Sequence, residues 1–212
     1  MDALVAYSYE HLTWPGKVRY MLSRIHGLYP CMEDDPRILM VTIDECEYQS
    51  CVVFGGVYEL FGAERMSSYF GPKVPLFSSL PHHKQLYGKG YSYENAFSDE
   101  WNTTRMDQLT QERLRDGFFN MIIFMNGANK YCGLGKYFYH RPSEAKILVD
   151  YQKRYNPIVV AVDGNDEDGC HDLLAGETVT LEYHSLFVRE FHRAQSTKLT
   201  KWSGCENSTE RS

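Results

Sequence analysis

The 212-residue chain has little cysteine, no long apolar run and no excess of positive charge. Its six cysteines stand singly at positions 31, 46, 51, 132, 170 and 205, without the paired C-x-x-C knuckles of a structural zinc site. Cysteine this sparse cannot build a disulfide framework, which points to a reducing compartment. No stretch approaches the roughly 18 consecutive apolar residues of a membrane span. The acids and tyrosines between Met1 and Glu10 also stand where a secretory leader needs a basic start and an apolar core. Secretion and a membrane partner are therefore not expected. Lys and Arg number 22 against 28 Asp and Glu, a net charge of -6, so no global basic surface exists to neutralise a phosphate backbone, and direct nucleic-acid binding is not expected either. What the chain does have is an ordinary globular balance, 43% apolar and 24% charged, which excludes disorder, collagen and coiled coil and leaves material for a core.

Local signals divide the chain into elements. Thr13 caps a helix with Pro15 in its first turn, Val18, Met21, Leu22 and Ile25 at spacings of three and four, and Gly27 as its stop. Arg37–Ile43 and Tyr48–Phe54 read as two β-prone runs, the second ending at Gly55-Gly56, and the acids Asp44, Glu45 and Glu47 fill the short connection. An antiparallel pair is the simplest arrangement, because parallel strands need a long crossover. A short helix fits within 57–70, and 71–102, rich in proline and aromatics, reads as a long functional loop. Thr104 opens a second clear helix with Gly117 at its left-handed end, and Phe118–Met125 reads as a buried strand. Asn126-Gly127 is a hairpin signal, so 130–140 is expected to return antiparallel. A helix over 142–154, a strand at Ile158–Val162, an acidic turn from Gly164 to Asp172 and an alternating strand Thr178–Phe187 follow. Without regular strand–helix alternation, the expected architecture is a single α+β domain over 1–192, with a largely antiparallel sheet and several helices, and a polar, fraying tail over 193–212.

Several residues invite chemistry. Glu177 and Glu182 lie on or beside a core strand and, with the Asp44, Glu45 and Glu47 group, supply the two facing carboxyls that a glycosidase requires. Alternation equally makes Glu182 a solvent-facing acid, the usual position for a charged residue. His82-His83 in the long loop offers a general base at His83, although neighbouring residues on an extended chain point apart. Cys170-His171 among acids mixes soft and hard metal ligands without a known spacing, and no metal is expected there. Tyr87 and Trp101 are candidate contact residues of the aromatic loop, which by itself suits a protein-binding module. Gly133-Leu134-Gly135-Lys136-Tyr137-Phe138 lacks the helix and third glycine of a dinucleotide fingerprint. It resembles instead the glycine-lysine-glycine-x-tyrosine-phenylalanine stretch of PARP-type ADP-ribosyltransferases, with glycine and lysine reordered. That resemblance implies NAD as cofactor, Gly133 and Gly135 beside it, Tyr137 stacked on the nicotinamide, and Glu182 or Glu177 on the ribose.

A second resemblance covers about 30 residues. Ile43-Asp44-Glu45-Cys46 through Cys51-Val52-Val53-Phe54-Gly55-Gly56, and Met106-Asp107-Gln108-Leu109 through Gln111-Glu112-Arg113-Leu114-Arg115-Asp116-Gly117-Phe118-Phe119, resemble the RolB/RolC, or plast, family of Agrobacterium T-DNA proteins. The aromatic that many members carry before the second block is matched by Trp101, but the accompanying proline is not. The resemblance implies a growth- and development-modifying effector in the cytoplasm or nucleus of the plant host cell, acting through host-protein binding, with an ADP-ribosyltransferase-like fold and activity. The family's other described activity, release of cytokinin from glucosides, implies a glycosidase and a small-molecule ligand.

Overall fold

Three runs, Ile38–Val41, Met121–Met125 and Ile158–Val162, are apolar at every position. A strand tolerates this only where both of its faces are covered. In the computed structural model, which describes residues 2–11, 13–28, 30, 34–42, 48–69, 76, 97, 102–125, 142–163 and 185–188, these runs are the centre of a five-stranded sheet. The strands are β1 (Ile38–Val41), β2 (Met66–Tyr69), β3 (Met121–Met125), β4 (Ile158–Asp163) and β5 (Ser185–Val188), in the order β2-β1-β3-β4-β5. Every neighbouring pair is parallel.

Helices α1 (Asp2–His11) and α2 (Trp14–Leu28) precede β1. α3 (Tyr48–Arg65) links β1 to β2, α4 (Thr103–Arg115) precedes β3, and α5 (Pro142–Tyr155) links β3 to β4. Alternate strand residues bury to opposite sides. Ile38, Met40, Met121, Ile123, Ile158 and Val160 pack with Val18, Met21 and Ile25 of α2 and Cys51, Phe54 and Val57 of α3. Leu39, Val41, Tyr69, Ile122, Phe124 and Val159 pack with Leu114 of α4, with Phe119, and with Ala145, Leu148 and Tyr151 of α5. The result is an α/β/α sandwich, and its strand order is that of flavodoxin-type doubly wound sheets.

This overturns the expected largely antiparallel α+β sheet, and with it the ADP-ribosyltransferase-like fold. The error lies in two places. Tyr48–Phe54 is not a strand: Cys51, Phe54 and Val57 recur at helical spacing, and α3 runs straight through Gly55-Gly56. A Cβ on Gly56 would stand 2.6 Å from the Trp14 carbonyl oxygen and 2.6 Å from Val18 Cγ2, so the glycines mark a close helix contact rather than a turn. The second place is β3, whose two edges are taken by β1 and β4, leaving no position for an antiparallel hairpin partner after Asn126-Gly127. Of the expected strand Thr178–Phe187, Ser185–Phe187 belong to β5, which is parallel to β4.

Other expectations hold. Thr13 Oγ1 accepts from the Gly16 N–H at 3.2 Å and opens α2. The helix expected from Thr104 starts one residue earlier, where Asn102 Oδ1 accepts from the Arg105 N–H at 3.0 Å. At the far end of α4, Gly117 takes φ 71°, the Phe118 N–H donates to the Arg113 carbonyl at 2.9 Å and the Gly117 N–H to the Leu114 carbonyl at 3.4 Å. These paired bonds are a Schellman closure. Gly117-Phe118-Phe119 is thus the turn into β3 rather than part of the strand.

Candidate functional site

Each β-to-α connection of a parallel sheet leaves from the carboxyl ends of the strands. Here β2 and β3 flank β1 on opposite sides, and α3 packs on one face while α4 and α5 pack on the other. α3, which follows β1, and α5, which follows β3, therefore lie on opposite faces, so the order of the sheet reverses at β1. Such topological switch points are where open α/β sheets bind ligands.

The described polar residues at this edge come from both faces. On the α3 side, Thr42 directly after β1 and Ser50 in the first turn of α3 are buried, and neither is without a partner. On the other side, Tyr69 ends β2 at 5% exposure, bonded to the Gln111 side chain of α4 and facing the charge of Glu144 in the first turn of α5. Burial pushes the Tyr69 phenol above its ordinary range, the negative charge of Glu144 pushes it further, and the Gln111 bond pulls the other way. Tyr69 is thus a protonated hydrogen-bond donor at neutral pH, with a carboxylate as its neighbour.

The opposite, amino edge carries the structural polar network. Asn120 Oδ1 accepts from the Arg37 N–H at 2.8 Å, while its own N–H donates to the Arg37 carbonyl at 3.1 Å and its carbonyl accepts from the Ile158 N–H at 2.9 Å. One residue thus ties the starts of β1, β3 and β4 together. Arg113 Nη1 donates to the carbonyls of Ala63 and Met66 and to Ser67 Oγ, Nη2 donates to the Glu64 carbonyl, and the guanidinium lies 4.5 Å from the centre of the Phe118 ring. Desolvation lowers the Arg113 pKa from its ordinary value, with Glu64 opposing.

The residues singled out in the sequence, Glu177, Glu182, His83, Tyr87, Trp101, Gly133, Gly135 and Tyr137, all lie outside the described residues, as do Asp44, Glu45, Glu47 and the Cys170-His171 patch. Among the described residues no group of three or more His, Cys, Asp or Glu is placed to hold a metal ion, and no helix is long and apolar enough to cross a membrane. The described part of the aromatic loop turns inward. Leu76 is fully buried, the Phe97 N–H donates to its carbonyl at 2.9 Å, and the Phe97 ring packs 4.9 Å from Tyr58 and 6.2 Å from Trp14. Sequence reasoning missed Tyr69 and Glu144. Glu144 reads as an ordinary first-turn acid complementing a helix dipole, and Tyr69 belongs to a four-residue edge strand with two serines, too short and polar to be noticed.

The described residues define an open, doubly wound α/β domain with polar side chains from both faces at the carboxyl edge of its sheet. No family model matches the chain, and no curated protein or solved structure matches it either.

Proposed function

We propose that the chain binds a small hydroxyl-bearing ligand, of the glycoside class, at the switch point over the carboxyl ends of β1 and β3. The observation that carries this reading is the reversal of strand order at β1, with α3 and α5 packed on opposite faces. Ligand chemistry follows from the groups that the chain can offer there. The connection from β1 to α3 reads Thr42-Ile43-Asp44-Glu45-Cys46-Glu47, three carboxylates and no glycine, where a phosphate-binding turn needs glycines and backbone N–H groups. That favours donors of hydroxyl hydrogens over a pyrophosphate, and so favours a sugar over NAD. Tyr69 supplies a donor and Glu144 an acceptor for the same ligand.

Joined to the plast-family resemblance, the ligand narrows to a cytokinin glucoside and the activity to release of the free base, one carboxyl acting as acid and a second as base or nucleophile. The growth-modifying role in plant cells follows from that chemistry. Calorimetric titration with a cytokinin glucoside, the free base and NAD tests the reading, with hydrolysis followed by appearance of free base. Binding of the glucoside that weakens at least about tenfold in Glu144→Gln, and in the triple Asp44→Asn, Glu45→Gln, Glu47→Gln, is the expected outcome. Tight binding of NAD with no glucoside affinity would replace it by the transferase reading.

A further inference from the structure

Helix α2 carries Lys17, Arg19 and Arg24 and no acid, in a chain whose net charge is -6. Among the described residues none of these three cations forms an ion pair. The buried stripe Val18, Met21 and Ile25 faces α3, and beside it Lys17, Tyr20, Arg24 and Leu28 recur at spacings of three and four on the exposed side. Tyr20 and Leu28 are 52% and 53% exposed. The preceding helix α1 exposes Leu4 at 71%, Val5 at 58% and Tyr7 at 56%, with Ala6 exposed between them.

Successive residues on a helix are set about 100° apart, so Leu4 through Tyr7 turn apolar surface around most of the circumference of α1. Exposed apolar side chains beside cations match an anionic lipid surface, which takes up the apolar groups at its acyl boundary and meets the cations with its phosphates. Lys17, Arg19 and Arg24, without an ion pair among the described residues, select the sign of that surface. We propose that the α1–α2 face attaches to an anionic phospholipid surface. Leu4 and Val5 enter the acyl boundary, Tyr7 and Tyr20 sit at headgroup level, and Lys17 and Arg24 meet the lipid phosphates. The expectation of no membrane partner came from the absence of an 18-residue apolar run, and surface attachment requires none.

Co-sedimentation of the full chain with vesicles of phosphatidylcholine alone, and of phosphatidylcholine mixed with phosphatidylserine, tests this. The chain is expected to sediment with the mixed vesicles only, and to be released by salt. Lys17→Gln with Arg24→Gln is expected to lower the affinity on the order of thirtyfold. Leu4→Ser with Val5→Ser is expected to lower it as well, while Lys146→Gln with Lys153→Gln on α5, which changes the net charge equally, leaves it unaltered. All six positions are exposed, so unchanged circular dichroism and melting temperature separate lost binding from lost folding. Equal binding to both vesicle types, no binding to either, or binding indifferent to the α1 and α2 variants would overturn the proposal. So would a concentration-dependent dimer that Leu4→Ser with Val5→Ser dissolves in the absence of lipid affinity.

Discussion

Gly55 and Gly56 set the distance between α2 and α3. A Cβ on Gly55 would stand 2.5 Å from the Trp14 ring, and one on Gly56 would press on the Trp14 backbone, which cannot swing aside as a flexible side chain can. Gly56→Ala gains about 1 kcal/mol of helix propensity and loses about 1 to 3 kcal/mol to overpacking, so a net loss of up to about 2 kcal/mol in denaturant titration is expected. Gly27, near the end of α2, has open space around it, and Gly27→Ala is expected to be neutral or to stabilise by up to about 1 kcal/mol. Tyr151 shows a different kind of single-residue dependence. Its buried hydroxyl donates to the Phe119 carbonyl at 2.8 Å and accepts from the Phe119 N–H at 2.7 Å. Burial, with help from Tyr155, pushes its pKa up to about 12, against the opposing Phe119 bond and Arg37 charge. A pKa raised on folding means that the native state holds a proton that the unfolded chain gives up near 10. The stabilisation is therefore fully present below pH about 10 and falls away as the pH rises toward about 12. Tyr151→Phe is expected to cost about 1 to 3 kcal/mol at neutral pH, by leaving both Phe119 groups unpaired, and to flatten this alkaline decline in stability measured from pH 8 to 12.

At the scale of elements, the junction of α3, β2 and α4 depends on one glycine and one arginine. Gly62 takes φ 64° and ψ -179°, a region essentially confined to glycine, and so ends the regular helix before β2 begins. The carbonyls this break releases, Ala63 and Glu64, are collected by Arg113 of α4 together with that of Met66. Arg113→Met is expected to destabilise by about 2 to 3 kcal/mol in urea titration, and Arg113→Lys to recover less than half of that, since an ammonium lacks the planar fork that reaches several acceptors at once. This junction also shows why the elements were unequally legible. α2, α4 and α5 combine an amphipathic stripe with end signals from Thr13, Gly117 and Pro142, and such signals act within a few residues of one another. β1, β3 and β4 were legible as strands but not as parallel ones, although runs such as Met121–Met125 without a polar face already imply cover on both sides. α3 was misread because Val52, Val53 and Phe54 have high strand propensity and Gly55-Gly56 resembles a breaker. Its glycines answer to Trp14 and Val18, on a neighbouring helix that no local window sees. β2 exists because Ser67 and the strand backbone meet Arg113, a contact between residues 46 positions apart.

For the molecule as a whole, one edge of the sheet holds the strands together, and the other is the edge to which the proposed ligand is assigned. The amino edge gathers Arg37, Arg113, Asn120 and Ile158 in bonds that join strands, while the carboxyl edge gathers Thr42, Ser50, Tyr69 and Glu144 around the switch point. Little of this division is legible in the sequence, because an acid such as Glu144 acquires its place only when the fold sets the start of α5 opposite a tyrosine from β2. The division makes a crossed prediction. Asn120→Ala deletes the acceptor of the Arg37 N–H, and is expected to lower stability by about 1 to 2 kcal/mol while leaving the affinity for a glycoside unchanged under conditions where the variant is folded. Glu144→Gln removes a negative charge from beside Tyr69, so the Tyr69 phenol should titrate at lower pH than in the parent chain, by NMR, with stability within about 1 kcal/mol and glycoside affinity reduced. Loss of affinity in Asn120→Ala, or full affinity in Glu144→Gln, would mean that the ligand does not sit at the carboxyl edge. The paired measurement tests the location of the site apart from the identity of the ligand, because any molecule bound there must respond to the carboxylate and not to the asparagine at the far end of the strands.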